Sequence, residues 1–171
     1  MEFFDVINNR CSVRTFTSES VEDDKLQKIL ETANRAPSAG NLQAYEIFVV
    51  TDPSKRDLLA KAALNQEFIA SASVVLVFCS HPARSEWRYG ERGVQMYALQ
   101  DATIACTLAM LSASAQGLAS VWVGAFEDDS VSRVIGASDG VLPVAILPIG
   151  YADEVPVNRS RREINDIVHW T

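Results

Sequence analysis

The chain has 171 residues, 48% hydrophobic and 22% charged, a balance that supports a sizeable buried core and excludes the low-hydrophobicity, high-charge composition of disordered chains. Fifteen basic against 22 acidic side chains leave a net charge of −7, which excludes duplex nucleic acid or an anionic membrane surface as the main partner, since both select a basic face. Cys11, Cys79 and Cys106 are odd in number and lack CxxC or metal-ligand spacing, so neither a disulfide framework nor a bound metal is expected.

The N-terminus, MEFFDVINNR, has Glu2 and Asp5 where a secretion signal needs a basic start and an unbroken apolar stretch. The longest apolar run, Ala102 to Leu111, is shorter than the roughly 18 residues that cross a bilayer. A cytoplasmic protein is therefore expected. No repeat, low-complexity tract or Pro/Gly/Ser-rich linker divides the sequence, so residues 1–171 read as a single domain.

In chain order, Glu2 to Asn9 predicts a short helix. Asp23 to Ala36 predicts a longer one, with Leu26, Ile29, Leu30 and Ala33 on one apolar stripe and Pro37 ending it. Tyr45 to Thr51 predicts a strand, Pro53 to Leu64 a helix opened by proline, and Val74 to Cys79 a strand buried on both faces. From Glu91 to Gln116 the spacing predicts one uninterrupted helix, capped by Gly117 in the left-handed conformation. Its middle, ATIACTLAML, is apolar on nearly every face and needs neighbours all round, which in a chain of this size points to a second subunit. A strand at Ser120 to Gly124, a helix at Asp129 to Gly136, a strand at Val144 to Ile149 and a basic tail follow. Strands separated by helices suggest three layers with helices on both sheet faces.

The common nucleotide and hydrolase signatures GxGxxG, GxxxxGK[ST], HExxH and GxSxG are missing. His81 and His169 pair with no nucleophile or metal pattern, and Ser38 has neither a nearby histidine nor a strand-to-helix elbow. Arginine is distributed more suggestively: Arg10 and Arg14 flank Ser12 in RCSVRTF, and Arg159, Arg161 and Arg162 stand in the tail. Planar guanidinium forks suit phosphate and carboxylate, although the same residues also read as solvated charges answering the acids. PSAGNLQ, Pro37 to Gln43, favours a tight turn with exposed amides, and the Asn41 and Gln43 side chains could read a polar heterocycle edge. Gly124-Ala125 ends a strand with small residues that let a flat ligand approach backbone N–H groups.

RCSVRTF, APSAGNLQ, the helix YALQDATIACTLAMLSASAQGL, VWVGAF, PIGY and the tail NRSRREINDIVHW stand in the order found in FMN-dependent nitroreductases, and the chain resembles a short member of that superfamily nearly end to end. The resemblance implies an α+β fold, a three-layer α-β-α sandwich with a mixed, mainly antiparallel central sheet and a long central helix at a homodimer interface. It also implies that Arg10, Cys11, Ser12 and Arg14 bind FMN, with Arg10 at the phosphate and Arg14 near the N1/C2-carbonyl edge of the ring. Arg159 and Arg161 match the family's phosphate-gripping pair, with Arg162 a weaker match. Asn65 corresponds to a position that meets the pyrimidine edge, and Gly124 and Ala125 to backbone donors for N5 and the adjacent carbonyl. Pro37, Ser38, Ala39 and Asn41 are expected to reach FMN bound mainly by the other subunit.

Cys11, Ala44-Tyr45 and Ala119-Ser120 depart from the commoner family pattern without removing a flavin donor. The only expected lid is His81 to Gly93, where Trp87 and Tyr89 stack on a substrate or cover the flank of a dimer. The activity implied is hydride transfer from NAD(P)H to FMN and on to a small-molecule acceptor such as a nitroaromatic or quinone, with ping-pong kinetics and Arg14 tuning the ring. A same-scaffold dehalogenase, a flavin-consuming enzyme and a non-catalytic flavin sensor are the alternatives.

Overall fold

A computed structural model describes residues 2–155, 157 and 159–171; Asn158, the first residue of the tail motif, lies outside the described residues. The elements run α1 (Phe3–Asn9), α2 (Asp23–Ala33), β1 (Tyr45–Val50), α3 (Pro53–Ala62), α4 (Phe68–Ser71), β2 (Val74–Ser80), α5 (Pro82–Arg92), α6 (Ala98–Ala115), β3 (Ala119–Ser120), α7 (Asp128–Ile135) and β4 (Leu142–Gly150). Local chemistry explains several boundaries. Asp52 caps α3 by accepting the Ser54 N–H at 2.9 Å, with Pro53 opening the helix. Gly117 takes the left-handed conformation just beyond α6, as its spacing predicts, at φ 77°.

The sheet has the order β1-β2-β4-β3 with all neighbouring strands antiparallel. A single parallel bridge, Ser12 to Ser120, adds the segment after α1 at the β3 edge and makes the sheet mixed but mainly antiparallel. β2 is buried at every position, and its side chains alternate between two cores. Val74, Leu76 and Phe78 face Ile29 and Ala33 of α2 and the alanine side of α6. Val75, Val77 and Cys79 face Leu59 of α3, Ile69 of α4 and Val131 of α7. This is the three-layer α-β-α arrangement expected. Each fully buried Val, Leu, Ile or Phe contributes about 1.5–3 kcal/mol relative to an exposed one, so the double-sided central strand anchors both layers.

The long helix differs from its prediction. Gly90 breaks α5 with non-helical backbone, and Gly93–Tyr97 forms a π-turn before α6 begins. An added Cβ on Gly93 would lie 2.7 Å from the Ser85 carbonyl oxygen, so the segments before and after Gly90 press together backbone to backbone there. In α6 the buried side is small, with Ala98, Ala102, Ala105, Cys106, Ala109 and Ala113, which lets the sheet and α2 approach closely. Leu99, on another side, is 47% exposed within the single chain. The expected lid, His81 to Gly93, is thus mostly helix. α2 ends three residues before Ala36, because Arg35 and Ala36 donate to Thr32 and Ala33 in tighter i→i+3 turns ahead of Pro37. The expected strand Ser120 to Gly124 pairs only at Ala119–Ser120, and Val123 rejoins the sheet by one bridge to Ile146.

α6 also carries a buried carboxylate. Asp101 is 2% exposed, and its two oxygens accept the N–H groups of Ala39 at 3.0 Å and Ala44 at 3.1 Å. Between those amides the chain passes through positive φ at Gly40, Asn41 and Gln43, a conformation that side-chain-bearing residues hold only when their surroundings over-determine it. Ser38 adds to the hold by accepting the Gln43 N–H at 3.1 Å. Asp101 also raises the pKa of the Tyr45 hydroxyl, after burial itself. Asp101→Ala should lower stability by about 2–4 kcal/mol, since it orphans two donors at a charged acceptor. Urea unfolding and amide exchange at Ala39 and Ala44 check this, and exchange as slow as in the wild type would contradict it.

Candidate functional site

The segment after α1 lies between two other parts of the chain. Val13 N–H donates to the Ser120 carbonyl at 3.2 Å, Thr17 N–H to Tyr151 at 2.9 Å, and Asp153 N–H returns to Thr15 at 2.8 Å. Val13 and Phe16 are buried in the core, whereas Ser12 and Arg14 remain exposed. The alternation of an extended segment thus sends Ser12 and Arg14 away from the core side of Val13. They open on a cavity of about 380 Å³, lined also by Arg10, Cys11, Glu154, Arg159 and Arg161. The size lies within the roughly 300–1,000 Å³ of small-molecule sites. Both arginine pairs from the two ends of the chain therefore meet in one cavity. Arg162 is not among its lining residues, and its guanidinium donates to the Asp166 carbonyl at 2.7 Å.

Arg14 leads toward a second group of predicted residues. Its guanidinium carbon stands 5.9 Å from the centre of the Phe68 ring, a cation–π arrangement. Immediately before α4, Leu64 and Asn65 both adopt the left-handed conformation and Asn65 is exposed. Gln66 then donates its side-chain amide to the carbonyl of Ala125 at 3.0 Å, tying this turn to Gly124-Ala125. Arg14, Asn65 and Gly124-Ala125 are thus linked through Phe68 and Gln66, although Asn65, Gly124 and Ala125 do not line the cavity itself. Gly124 and Ala125 are exposed, so their backbone stands open to a ligand. Phe68, Gln66 and Glu154 are the contributors that sequence reasoning missed. Their partners are distant in sequence, and no spacing pattern announces them.

Pro37, Ser38, Ala39 and Asn41 are not brought to this cavity within the chain. They sit in the turn held by Asp101, and α5 covers that turn: Arg84 donates to the Leu42 carbonyl at 3.3 Å, and a Cβ on Gly40 would come 2.5 Å from the Tyr89 hydroxyl. The Gln43 side-chain amide donates to the Asn41 carbonyl at 2.8 Å, which engages one of its two N–H groups. Tyr89 packs edge-on against Tyr97 at 5.0 Å, while Trp87 is 73% exposed.

Electrostatics hold the end of β4 in register with α2. Lys25 donates to Glu22 at 2.8 Å, and the Tyr151 hydroxyl donates to the same carboxylate at 2.8–2.9 Å. The Lys25 hydrogen bond is the largest cause that holds the Glu22 carboxyl down to about 2. Burial pushes the Cys79 thiol up to about 12 and raises Cys106 as well, so neither supplies a thiolate. His81 pairs with Glu46 at 2.9 Å, away from the cavity-lining residues.

Comparison with known proteins places this geometry in a family. The nitroreductase family profile matches residues 7–67 and 60–151. A protein of Archaeoglobus fulgidus described as a putative NADH dehydrogenase/NAD(P)H nitroreductase is 27% identical over 154 residues, covering 88% of this chain and 85% of its own. The FMN reductase (NADPH) of Bacillus subtilis is 26% identical over 177 residues, covering 96% and 71%. The solved structure of NfrA2 from B. megaterium superimposes with a TM-score of 0.91 at 26% identity, over 99% of this chain and 74% of that one. No helix among the described residues is long and apolar enough to cross a membrane. With the family profile matching most of its length, the chain belongs to the nitroreductase family.

Proposed function

We propose that the chain is an NAD(P)H-dependent FMN oxidoreductase that reduces nitroaromatics, quinones or similar electron-poor acceptors by a ping-pong mechanism. Relatives named as an FMN reductase, an NADPH-flavin oxidoreductase and a putative NAD(P)H nitroreductase support the activity. The observation that carries it in this molecule is the cavity into which Arg10, Arg14, Arg159 and Arg161 converge from opposite chain ends. That donor set fits a phosphate-bearing ring. Guanidinium forks match phosphate oxygens, the Ser12 hydroxyl adds a donor, and these cations gather in a protein whose net charge is −7.

In this reading Arg10, Ser12, Arg159 and Arg161 hold the phosphate, Cys11 lines the same wall, and Arg14 reaches the pyrimidine edge with its guanidinium steadied over Phe68. Asn65 and the backbone N–H groups of Gly124 and Ala125, exposed on either side of the Gln66 tie, would add further donors for the ring. Bound FMN supplies the redox chemistry, accepting hydride from NAD(P)H and passing electrons to the acceptor. A cation beside the pyrimidine edge stabilises the negative charge that reduction places there, more strongly than in water because the surroundings are less polarisable. No side chain in the cavity serves as an obligatory acid or base, so protons come from solvent or acceptor. The whole chain, 1–171, works as one FMN-binding domain in the cytoplasm.

We further propose that it works as a homodimer, with Pro37, Ser38, Ala39 and Asn41 completing the partner's site. Their placement away from the cavity of their own chain supports this, as does apolar surface left open on several elements. Phe4 of α1 is 75% exposed, Leu99 of α6 is 47% exposed, and Trp170 of the tail is 94% exposed. Charge placed at Leu99 would oppose burial in an interface while leaving the core untouched.

Purified protein should be yellow with releasable FMN, and NAD(P)H oxidation should accelerate with added nitroaromatic or quinone. Arg14→Ala should weaken FMN about tenfold or more, as expected for losing a charge-assisted contact, and lower the flavin midpoint potential. Equal affinity and potential would remove Arg14 from the site, and flavin that no nicotinamide reduces would point to a sensor instead. Sedimentation should give a dimer for the wild type, and Leu99→Asp should shift it toward monomer with weaker FMN retention. A stable, fully loaded wild-type monomer would refute the shared site.

A further inference from the structure

A carboxylate is out of place in a cavity built for a phosphate, yet Glu154 lines the one formed by Arg10, Arg14, Arg159 and Arg161. Left free, its charge would repel the ligand and compete for the guanidinium groups. Its hydrogen bonds point elsewhere. One carboxylate oxygen accepts the backbone N–H of Arg14, and at 3.3 Å that of Thr15. Beside it, the Asp153 N–H donates to the Thr15 carbonyl, so the chain around Glu154 is pinned to the same short stretch of backbone. No salt bridge joins Glu154 to an arginine among the described residues. The other end of Arg14 is steadied separately, by the Phe68 ring.

We propose that Glu154 is a positioning residue for Arg14: its carboxylate clamps the backbone from which the Arg14 side chain projects, and so fixes where the guanidinium meets the bound ring. The inference rests on the FMN reading above. It has two consequences. The effect depends on an acceptor oxygen of the right reach rather than on negative charge, so a glutamine of equal length retains it and a shorter aspartate loses it. It also acts through Arg14, so the two residues are energetically coupled while Glu154 and the tail arginines are not.

FMN titration by fluorescence quenching tests this, with folding checked by circular dichroism. Glu154→Ala is expected to raise the FMN dissociation constant about tenfold and Glu154→Asp about fivefold, while Glu154→Gln stays within about threefold of wild type. Combined with Arg14→Ala, Glu154→Ala should add less than twofold, whereas in an Arg159→Ala background its effect should appear in full. Should Glu154→Ala fail to fold, the contrast between Glu154→Asp and Glu154→Gln carries the same test. Binding that tightens equally in the alanine and glutamine variants would make Glu154 a mere opposing charge and overturn the proposal. Full multiplicativity with Arg14→Ala would overturn it as well. Wild-type protein that takes up no FMN would overturn the functional reading itself, and the positioning role with it, a result distinct from a normal wild type with unaffected variants.

Discussion

The backbone pairing of residues 12–17 with Ser120 on one side and with Tyr151–Asp153 on the other is the constraint from which the site follows. Bringing residues about 140 positions apart into hydrogen-bonding register carries a loop-closure cost that grows only slowly with length. Each net hydrogen bond returns about 0.5–1.5 kcal/mol, too little to hold the two ends alone. The register is maintained because Val13 and Phe16 are buried in the core beside Val121, Val123 and Ile146, and a one-residue slip would draw Val13 out of that packing and carry Ser12 or Arg14 toward it. Core packing thereby decides which way the arginines face.

The same logic explains how an acidic protein maintains a strongly cationic cavity. Arg10 and Arg14 come from the end of α1 and the extended segment after it, and Arg159 and Arg161 from the tail beyond β4, so the charge is divided between distant parts of the chain. The positive potential arises only in the folded chain. Glu154 lies within it, but its carboxylate faces backbone amides, which leaves the guanidinium forks available to an anion. Acids elsewhere are engaged in structure: Glu22 with Lys25 and Tyr151, Asp101 with Ala39 and Ala44, and Asp52 at the start of α3.

Much of the architecture was legible because it is local. The apolar run Val74–Cys79 of β2, Pro53 after Asp52, and Gly117 beyond α6 each specify their element through features within a few residues. Arg10, Ser12, Arg14, Arg159 and Arg161 were legible as candidates through residue type and family order, and the cavity brings those five together. The less legible features depend on distance in sequence. The close approach of Gly93 to the Ser85 carbonyl, at the start of the π-turn Gly93–Tyr97, is one that no helical periodicity encodes. Asp101 reads as one charge in a greasy helix until the turn it bonds, about sixty residues earlier, is in place. Phe68, Gln66 and Glu154 likewise acquire roles only from partners that folding delivers.

The turn at Ser38–Ala44 shows why the chain maintains a buried charge in an otherwise apolar helix. Positive φ is costly at Asn41 and Gln43, which carry side chains, while Gly40 takes the same conformation without that cost. A neutral acceptor could satisfy one amide, whereas the two oxygens of Asp101 satisfy Ala39 and Ala44 from a single point on α6. The desolvation cost of that carboxylate is offset because both bonds are charge-assisted. α6 thus carries two kinds of information on neighbouring positions: alanines that set the spacing to the sheet, and one acid that dictates the shape of a loop it does not adjoin in sequence. In the homodimer proposed above that loop would complete the partner's site, and its geometry would then be set from inside the chain's own core.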